Sequence, residues 1–184
     1  APEPIYMDKT GHILGAPGLV MGFTPGRQVV DPVDPERWAR FQAQMLLRIH
    51  SIRPSQDYRN KLFDGNLQTL YFLEGDMPER LGGHPLSADI LGAVIKLKSK
   101  LASVSPVLVH LDYWHGNVLW ENDRISAIVD WDFAGYGDPA IDVAYFRMNM
   151  YLWGIKAAAD VFLKNYEEGS RPTIKNLGFW ELAA

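Results

Sequence analysis

The amino-acid sequence predicts an α+β fold in which short strands and long helices segregate along the chain. Three observations carry this expectation. An apolar two-strand pattern fills residues 5–23, helical periodicity dominates from 34 to about 101, and a second compact β pattern over 107–129 gives way to further helices. With 184 residues, 47% hydrophobic and 22% charged, the chain is long enough to bury a core and too apolar for disorder.

The elements follow in order. Ile5-Tyr6-Met7, the turn Asp8-Lys9-Thr10-Gly11 and the run Leu19–Phe23 after Gly15-Ala16-Pro17-Gly18 read as a β-hairpin, broken by Thr24-Pro25-Gly26. Asp34-Pro35-Glu36 has the form of an N-cap, a first-position proline and an early acid. Trp38, Phe41, Met45, Ile49 and Ile52 then recur at helical spacing until Pro54. A shorter helix is expected around 65–73. Ser87 is expected to cap another, with Ile90, Val94, Leu97 and Leu101 inward and Pro106 closing it. Val107-Leu108-Val109 reads as a buried strand, and 118–120 with 125–129 as a second hairpin turning at 121–124. Asp138-Pro139 opens a helix with Ile141, Ala144, Tyr145, Met148 and Leu152 expected inside and Gly154 ending it; another runs from about 156 to Gly169.

Composition narrows function. No cysteine is present, which removes disulfides, Cys-based zinc sites and a thiol nucleophile, and fits a reducing cytoplasm. A net charge of −4 gives no electrostatic case for nucleic acid or an anionic membrane. No apolar run approaches the ~20 residues that span a bilayer, and Ala1-Pro2-Glu3-Pro4 does not read as a signal peptide. The chain does not begin with Met and ends on the apolar helical phrase 179–184, so a fragment of a longer protein is expected.

The chemistry concentrates in His110-Leu111-Asp112-Tyr113-Trp114-His115-Gly116-Asn117 and in Asp130-Trp131-Asp132, thirteen residues past the asparagine. The hairpin between them brings 117 and 130 to its open end on strands ~4.8 Å apart. An amide carbonyl and a carboxylate are hard oxygen ligands suited to Mg²⁺ on substrate phosphates. Asp112, five residues before Asn117, is placed to face a hydroxyl beside that metal, and Gly116 is expected to let the backbone turn tightly. Such a set suits phosphoryl transfer, which asks mainly for positioning and charge neutralisation. Because a free aspartate has a pKa of ~3.9, such a base acts first by orientation and accepts the proton late.

His-x-Asp-x-x-x-x-Asn, an apolar hairpin into Ile128-Val129-Asp130-Trp131-Asp132, then Gly137-Asp138-Pro139 and Asp142-Val143-Ala144, together resemble the aminoglycoside phosphotransferase and choline kinase-like family. The resemblance covers residues 5 to about 168 and implies a protein kinase-like fold. It implies a mainly helical carboxy-terminal lobe over 27–184, truncated at its end. Residues 1–26 are then the remnant of the amino-terminal lobe, holding its last two strands and the hinge. It further implies Asp112 as catalytic base, Asn117 and Asp130 as Mg²⁺ ligands, and Gly22, Phe23 and Thr24 as the hinge holding ATP or GTP through backbone groups. His110 is implied as a support of the loop, and Asp132 as either a metal assistant or a backbone partner. The chain departs from the family pattern at Leu111, where Gly is usual, and at His115, where Pro is common. The glycine-rich loop, strand lysine and helix glutamate of kinase-like enzymes do not fit upstream of Ile5, and Lys9 reads as a turn residue. The polypeptide alone is therefore expected to turn over little or nothing.

Plainer readings weigh on individual residues. Asp138 is expected as a helix N-cap and Asp142 as a first-turn acid favoured by the helix dipole. His115 reads as a loop residue; Trp114, Trp120 and Trp131 as core; Gly11, Gly15 and Gly18 as turns; and Glu74, Asp76 and Glu79 as a solvated acidic face. The leading function is transfer of a γ-phosphate to a hydroxyl of an aminoglycoside, amino alcohol, sugar or similar metabolite. The alternative is a non-catalytic pseudokinase or interaction module. A D-x-D glycosyltransferase ranks below both, because no nucleotide-binding βαβ region precedes Asp130-Trp131-Asp132.

Overall fold

Residues 2–73, 82–170 and 173–183 are described by the computed structural model. The acidic stretch at Glu74, Asp76 and Glu79 lies outside the described residues.

The chain opens with an antiparallel pair, β1 (Pro4–Asp8) and β2 (Gly18–Met21), in the register Tyr6↔Val20 and Asp8↔Gly18. The connecting loop is organised by Asp8, 3% exposed, whose carboxylate accepts N–H groups from Thr10, Gly11, His12, Ile13 and Leu14. Those bonds, led by that of Leu14 and partly offset by burial, hold the Asp8 pKa at about 2 against an ordinary 3.8. Gly11 and Gly15 take positive φ, as the expected turns require.

After β3 (Arg27–Gln28) comes α1 (Pro35–Ser51), capped as the sequence predicts: the Asp34 carboxylate accepts the Arg37 N–H at 2.9 Å. Trp38 and Ile49 are buried, whereas Ile52, read as the last inward residue, stands at the C-cap and is 47% exposed. A short α2 (Gln56–Arg59), β4 (Phe63–Asp64), α3 (Gly65–Thr69) and a 3₁₀ turn (Tyr71–Leu73) follow. In α4 (Ser87–Lys98), Ser87 is the first helical residue, and Leu86 occupies the cap position with no side-chain bond. Of the expected inward face only Val94 is fully buried; Ile90 is 38% and Leu97 36% exposed.

The second β region holds β5 (Val107–Val109), β6 (Val118–Glu121) and β7 (Arg124–Ile128), joined through Asn122 and Asp123, both at positive φ as a two-residue I′-type hairpin turn demands. Two further partners have no sequence signal. β3 pairs with β6, making the order β3-β6-β7, and β8 (Gly135–Gly137) lies between β4 and β5, parallel to the first and antiparallel to the second. Gly65 and Gly137 permit this crossing: a Cβ at Gly137 would meet the Asn66 Oδ1 at 2.8 Å and the Gly65 Cα at 3.1 Å.

The last helices are α5 (Ala140–Leu152), α6 (Lys156–Ser170) and α7 (Leu177–Ala183). α5 was expected to have a single apolar face, but it is buried on both flanks. Val143, Phe146 and Met150 enter one core with Trp38, Leu46 and Phe162, while Ile141 and Ala144 enter a second with Trp180. A helix apolar nearly all round belongs between layers, so the single-stripe reading fails here; Leu152, expected inside, is 74% exposed. Buried Arg147 ties the three helices together, donating to Glu181 at 2.6 Å and to the Ala159 carbonyl at 2.9 Å. Among the described residues no helix is long and apolar enough to cross a membrane.

Candidate active site

The segment from His110 to Asn117 links β5 to β6 and is tied to the body at every turn. The buried Asp142 carboxylate on α5 accepts the backbone N–H groups of His110 and Leu111, each at 2.8 Å. Its Oδ2 also accepts from the His50 ring at 3.1 Å, and the other ring nitrogen of His50 meets the Tyr166 hydroxyl at 2.7 Å. An ionised carboxylate only accepts, so the His50 nitrogen facing it carries the proton. Asp142 was read as a first-turn acid of α5; it is that, but its work is to anchor the loop. The sequence carried the signal in Asp142-Val143-Ala144 without revealing what the carboxylate reaches.

Leu111 stands at φ +67. This explains the glycine usual there in the resembling family, because an L side chain in that region costs ~1–2 kcal/mol. Tyr113 is fully buried and donates to the Gln42 carbonyl at 2.9 Å; burial, then the negative charge of Asp142, pushes its pKa well above the ordinary tyrosine value. Its hydroxyl therefore remains a donor. The Gln28 amide, on β3, donates to the Gly116 carbonyl at 2.6 Å. Neither Tyr113 nor Gln28 stood out in the sequence.

These ties position Asp112. The Asn117 Nδ2 donates to the Asp112 carboxylate at 2.7 Å and to the Asp112 backbone carbonyl at 3.0 Å. Only the NH₂ end can serve two oxygen acceptors, so the Asn117 Oδ1 points elsewhere. The Asn117 backbone carbonyl accepts the Val129 N–H at 3.0 Å, which sets Asp130 one residue beyond the end of the hairpin ladder. Asp130 is exposed and takes φ +62. The structure thus brings Asp112 and Asn117 into direct contact and places Asp130 at the same open end.

His110 is buried, its Nε2 within 3.0 Å of the Val129 carbonyl and its Nδ1 within 3.3 Å of the Asp112 N–H. A single neutral tautomer with the proton on Nε2 satisfies both. Trp131 packs on its ring at 4.5 Å and donates to the Ile128 carbonyl. Asp132 is exposed, just past that anchor.

Gly116 sits where the backbone turns tightly, as expected: it is the middle residue of the 3₁₀ turn His115–Asn117, in which the Asn117 N–H donates to the Trp114 carbonyl at 3.0 Å. It does so without a positive φ, and a Cβ there would meet the Trp114 ring at 2.4 Å, so the glycine also admits that ring. His115 lies in the loop, as read, but on its inner side: it is buried among Trp38, Trp114 and Trp153, burial lowers its pKa, and neither ring nitrogen has a partner among the described residues. Asp138, expected as the N-cap of α5, stands one residue before it: Pro139 holds the cap position without a side-chain bond, while one Asp138 oxygen accepts the Ala140 N–H and the other accepts from Asn176 at 2.7 Å and Trp180 at 2.9 Å.

Met21-Gly22-Phe23-Thr24 leaves the first hairpin toward β3. Gly22 donates its N–H to the Glu3 carbonyl at 2.8 Å, and Phe23 is 92% exposed. Among the described residues no group of three or more His, Asp or Glu side chains could hold a metal.

A strand pair, a linking segment and a mainly helical lobe around such a loop make up the architecture of protein kinase-like phosphotransferases. The chain belongs to the phosphotransferase enzyme family, whose model matches residues 1–177. It is 28% identical over 119 residues to 4-hydroxytryptamine kinase of Psilocybe cyanescens, a match covering 58% of this chain and 33% of that one. The chain thus matches about a third of that kinase's length. Aminoglycoside-3′-phosphotransferase of type VIII superposes with a TM-score of 0.70 at 18% identity, over 100% of this chain and 72% of that one. Spectinomycin phosphotransferase, solved with ADP and spectinomycin, superposes with a TM-score of 0.63 at 15% identity, over 89% and 56%. At such identities these likenesses establish the fold.

Proposed function

We propose that this chain is the carboxy-terminal lobe, with hinge, of a small-molecule kinase that moves the γ-phosphate of ATP to an alcohol. The observation that carries the reading is the pair of bonds from Asn117 to Asp112, which fixes the carboxylate while leaving the amide oxygen for a cation. Asp112 orients the acceptor hydroxyl. As its oxygen bonds to the γ-phosphorus, the bond to the β–γ bridging oxygen breaks, ADP departs, and the proton passes to the Asp112 carboxylate. Asn117 Oδ1 and the Asp130 carboxylate are the hard oxygen donors that would hold Mg²⁺. When bound, that ion neutralises charge on the phosphates.

Residues 1–26 are read as the remnant of an amino-terminal lobe, with the backbone of Gly22, Phe23 and Thr24 holding the adenine. The exposure of Ile5, Met7, Leu19 and Met21 on a sheet that has two strands among the described residues supports this, because such a pair is marginal alone and wants a covering layer. Adenine nucleotide as donor accords with the ADP bound in spectinomycin phosphotransferase. The same exposed sheet is what a non-catalytic interaction module would use.

ADP release by the full-length parent with Mg·ATP and a panel of alcohols separates the two. Asp112→Asn is expected to lower kcat by about 10²–10⁴-fold, and an unchanged rate would refute the assignment. The 184-residue chain alone is expected to release no ADP above background.

A further inference from the structure

Where the end of α1 meets β5 and α6 there is a cavity of about 540 Å³. Small-molecule sites commonly span about 300–1,000 Å³. Its deeper wall is Leu47 and His50 of α1, Val107 of β5, Tyr166 of α6 and Ile174, all buried or half-buried. A chain of hydrogen bonds runs from that wall to the loop of Asp112: the Tyr166 hydroxyl meets His50, and His50 meets the Asp142 carboxylate that holds His110 and Leu111. Among the described residues, none of 110–117 and none of 130–132 lines the cavity, so it is a place apart from the candidate active site.

The rim carries positive charge. Arg53 and Lys175 line the cavity, both exposed, beside the hydroxyls of Ser103, Ser105 and Thr173. Arg53 is pinned there: its Nη1 donates to the His50 carbonyl at 2.7 Å and to the Ile52 carbonyl at 3.2 Å, which leaves its Nε and Nη2 donors without a protein acceptor among the described residues. Asp138 also lines the cavity, but it is 2% exposed and its two oxygens already accept from Ala140, Asn176 and Trp180. A guanidinium fork matches a carboxylate or phosphate through two parallel bonds, and the lysine adds a second cation. Leu47, Val107 and Ile174 offer apolar area that a hydrated inorganic ion leaves unused and an alkyl chain buries.

We propose that this cavity binds a small amphiphilic oxyanion, its carboxylate or phosphate head on Arg53 and Lys175 and its aliphatic body on Leu47, Val107 and Ile174. The site does not depend on the reading of Asp112 as the base. It gives the chain a second ligand, held by residues that phosphoryl transfer does not use.

Isothermal titration of the 184-residue chain with hexyl phosphate and with hexanoate tests it, hexylammonium serving as the cationic control. At least one of the two anions is expected to fill a single saturable site, weakened by raised ionic strength, and the tighter of the two identifies the head the cavity takes. The double variant Arg53→Gln with Lys175→Gln, at exposed positions, is expected to weaken that binding at least about tenfold. Circular dichroism reports whether the variant folds, and intermolecular NOEs from the alkyl chain to the Val107 and Ile174 methyl groups locate the ligand without any substitution. Binding of neither anion, binding indifferent to the double variant, equal binding of hexylammonium, or NOEs to other methyl groups alone would overturn the assignment. Each of those outcomes leaves the phosphotransferase reading standing; an active Asp112→Asn parent strikes that reading and not this one.

Discussion

The Asp142 carboxylate accepts the backbone N–H of Leu111 at 2.8 Å, and Leu111 is held at φ +67. One buried oxygen on α5 thus fastens the backbone where it is least comfortable, one residue before Asp112. The adjoining N–H of His110 goes to the same carboxylate. The loop that carries Asp112 is therefore positioned by a helix that begins 23 residues after Asn117 in the sequence.

Removing the anchor should cost both stability and activity. Asp142→Ala leaves two buried N–H groups and the His50 ring without their acceptor, each orphan costing ~1–3 kcal/mol. A lowered urea midpoint is expected in the chain, and in the parent a fall in kcat larger than any rise in KM. An unchanged midpoint would show that the loop holds without Asp142.

Leu111 offers a cleaner test of backbone strain. Leu111→Gly removes ~1–2 kcal/mol of left-handed strain but loses side-chain packing of similar size, so its midpoint should stay close to wild type. Leu111→Val, β-branched at positive φ, should lose at least ~1 kcal/mol beyond the glycine variant. Equal midpoints for the two variants would count against strain at this residue.

At Asn117, replacing the amide by a carboxylate probes its contact with Asp112. Asn117→Asp sets two acids where a 2.7 Å hydrogen bond stood, and like charges so close cannot both ionise. The acid limb of the parent's pH–rate profile should move upward by about a unit or more. An unmoved limb would mean that the Asp112 carboxylate does not govern the rate.

Acid should act first on the opening hairpin. The Asp8 pKa is held at about 2 against 3.8, so its stabilising bonds are fully present above 3.8 and lost as pH falls toward 2. The stability of wild type should fall more steeply across that window than that of Asp8→Asn, followed by amide exchange at Ile13 and Leu14. Parallel curves would remove Asp8 as the organiser of the loop.

The readable parts of this fold were those with local causes. Asp34-Pro35 capped α1 as expected because a cap is decided within one turn. The hairpin of β6 and β7 followed from two apolar runs around Asn122-Asp123. β3, β4 and β8 were missed because two- and three-residue strands carry no alternation. β8 exists only because Gly65 and Gly137 let two backbones meet. The burial of His115 was illegible for a related reason: nothing near it in the sequence says that Trp38 and Trp153 will close around it.

The sequence by itself determined the family, the order of the long helices and the two hairpins, and the spacing that puts Asp112, Asn117 and Asp130 around one hairpin, since these depend on chemistry and periodicity over a few residues. Only the tertiary structure decided that Asp142 holds the loop, that α5 is buried on both flanks and that His115 is enclosed by Trp38 and Trp153. Each depends on residues from distant segments meeting, and a buried carboxylate or ring is fixed by the partners that packing delivers to it.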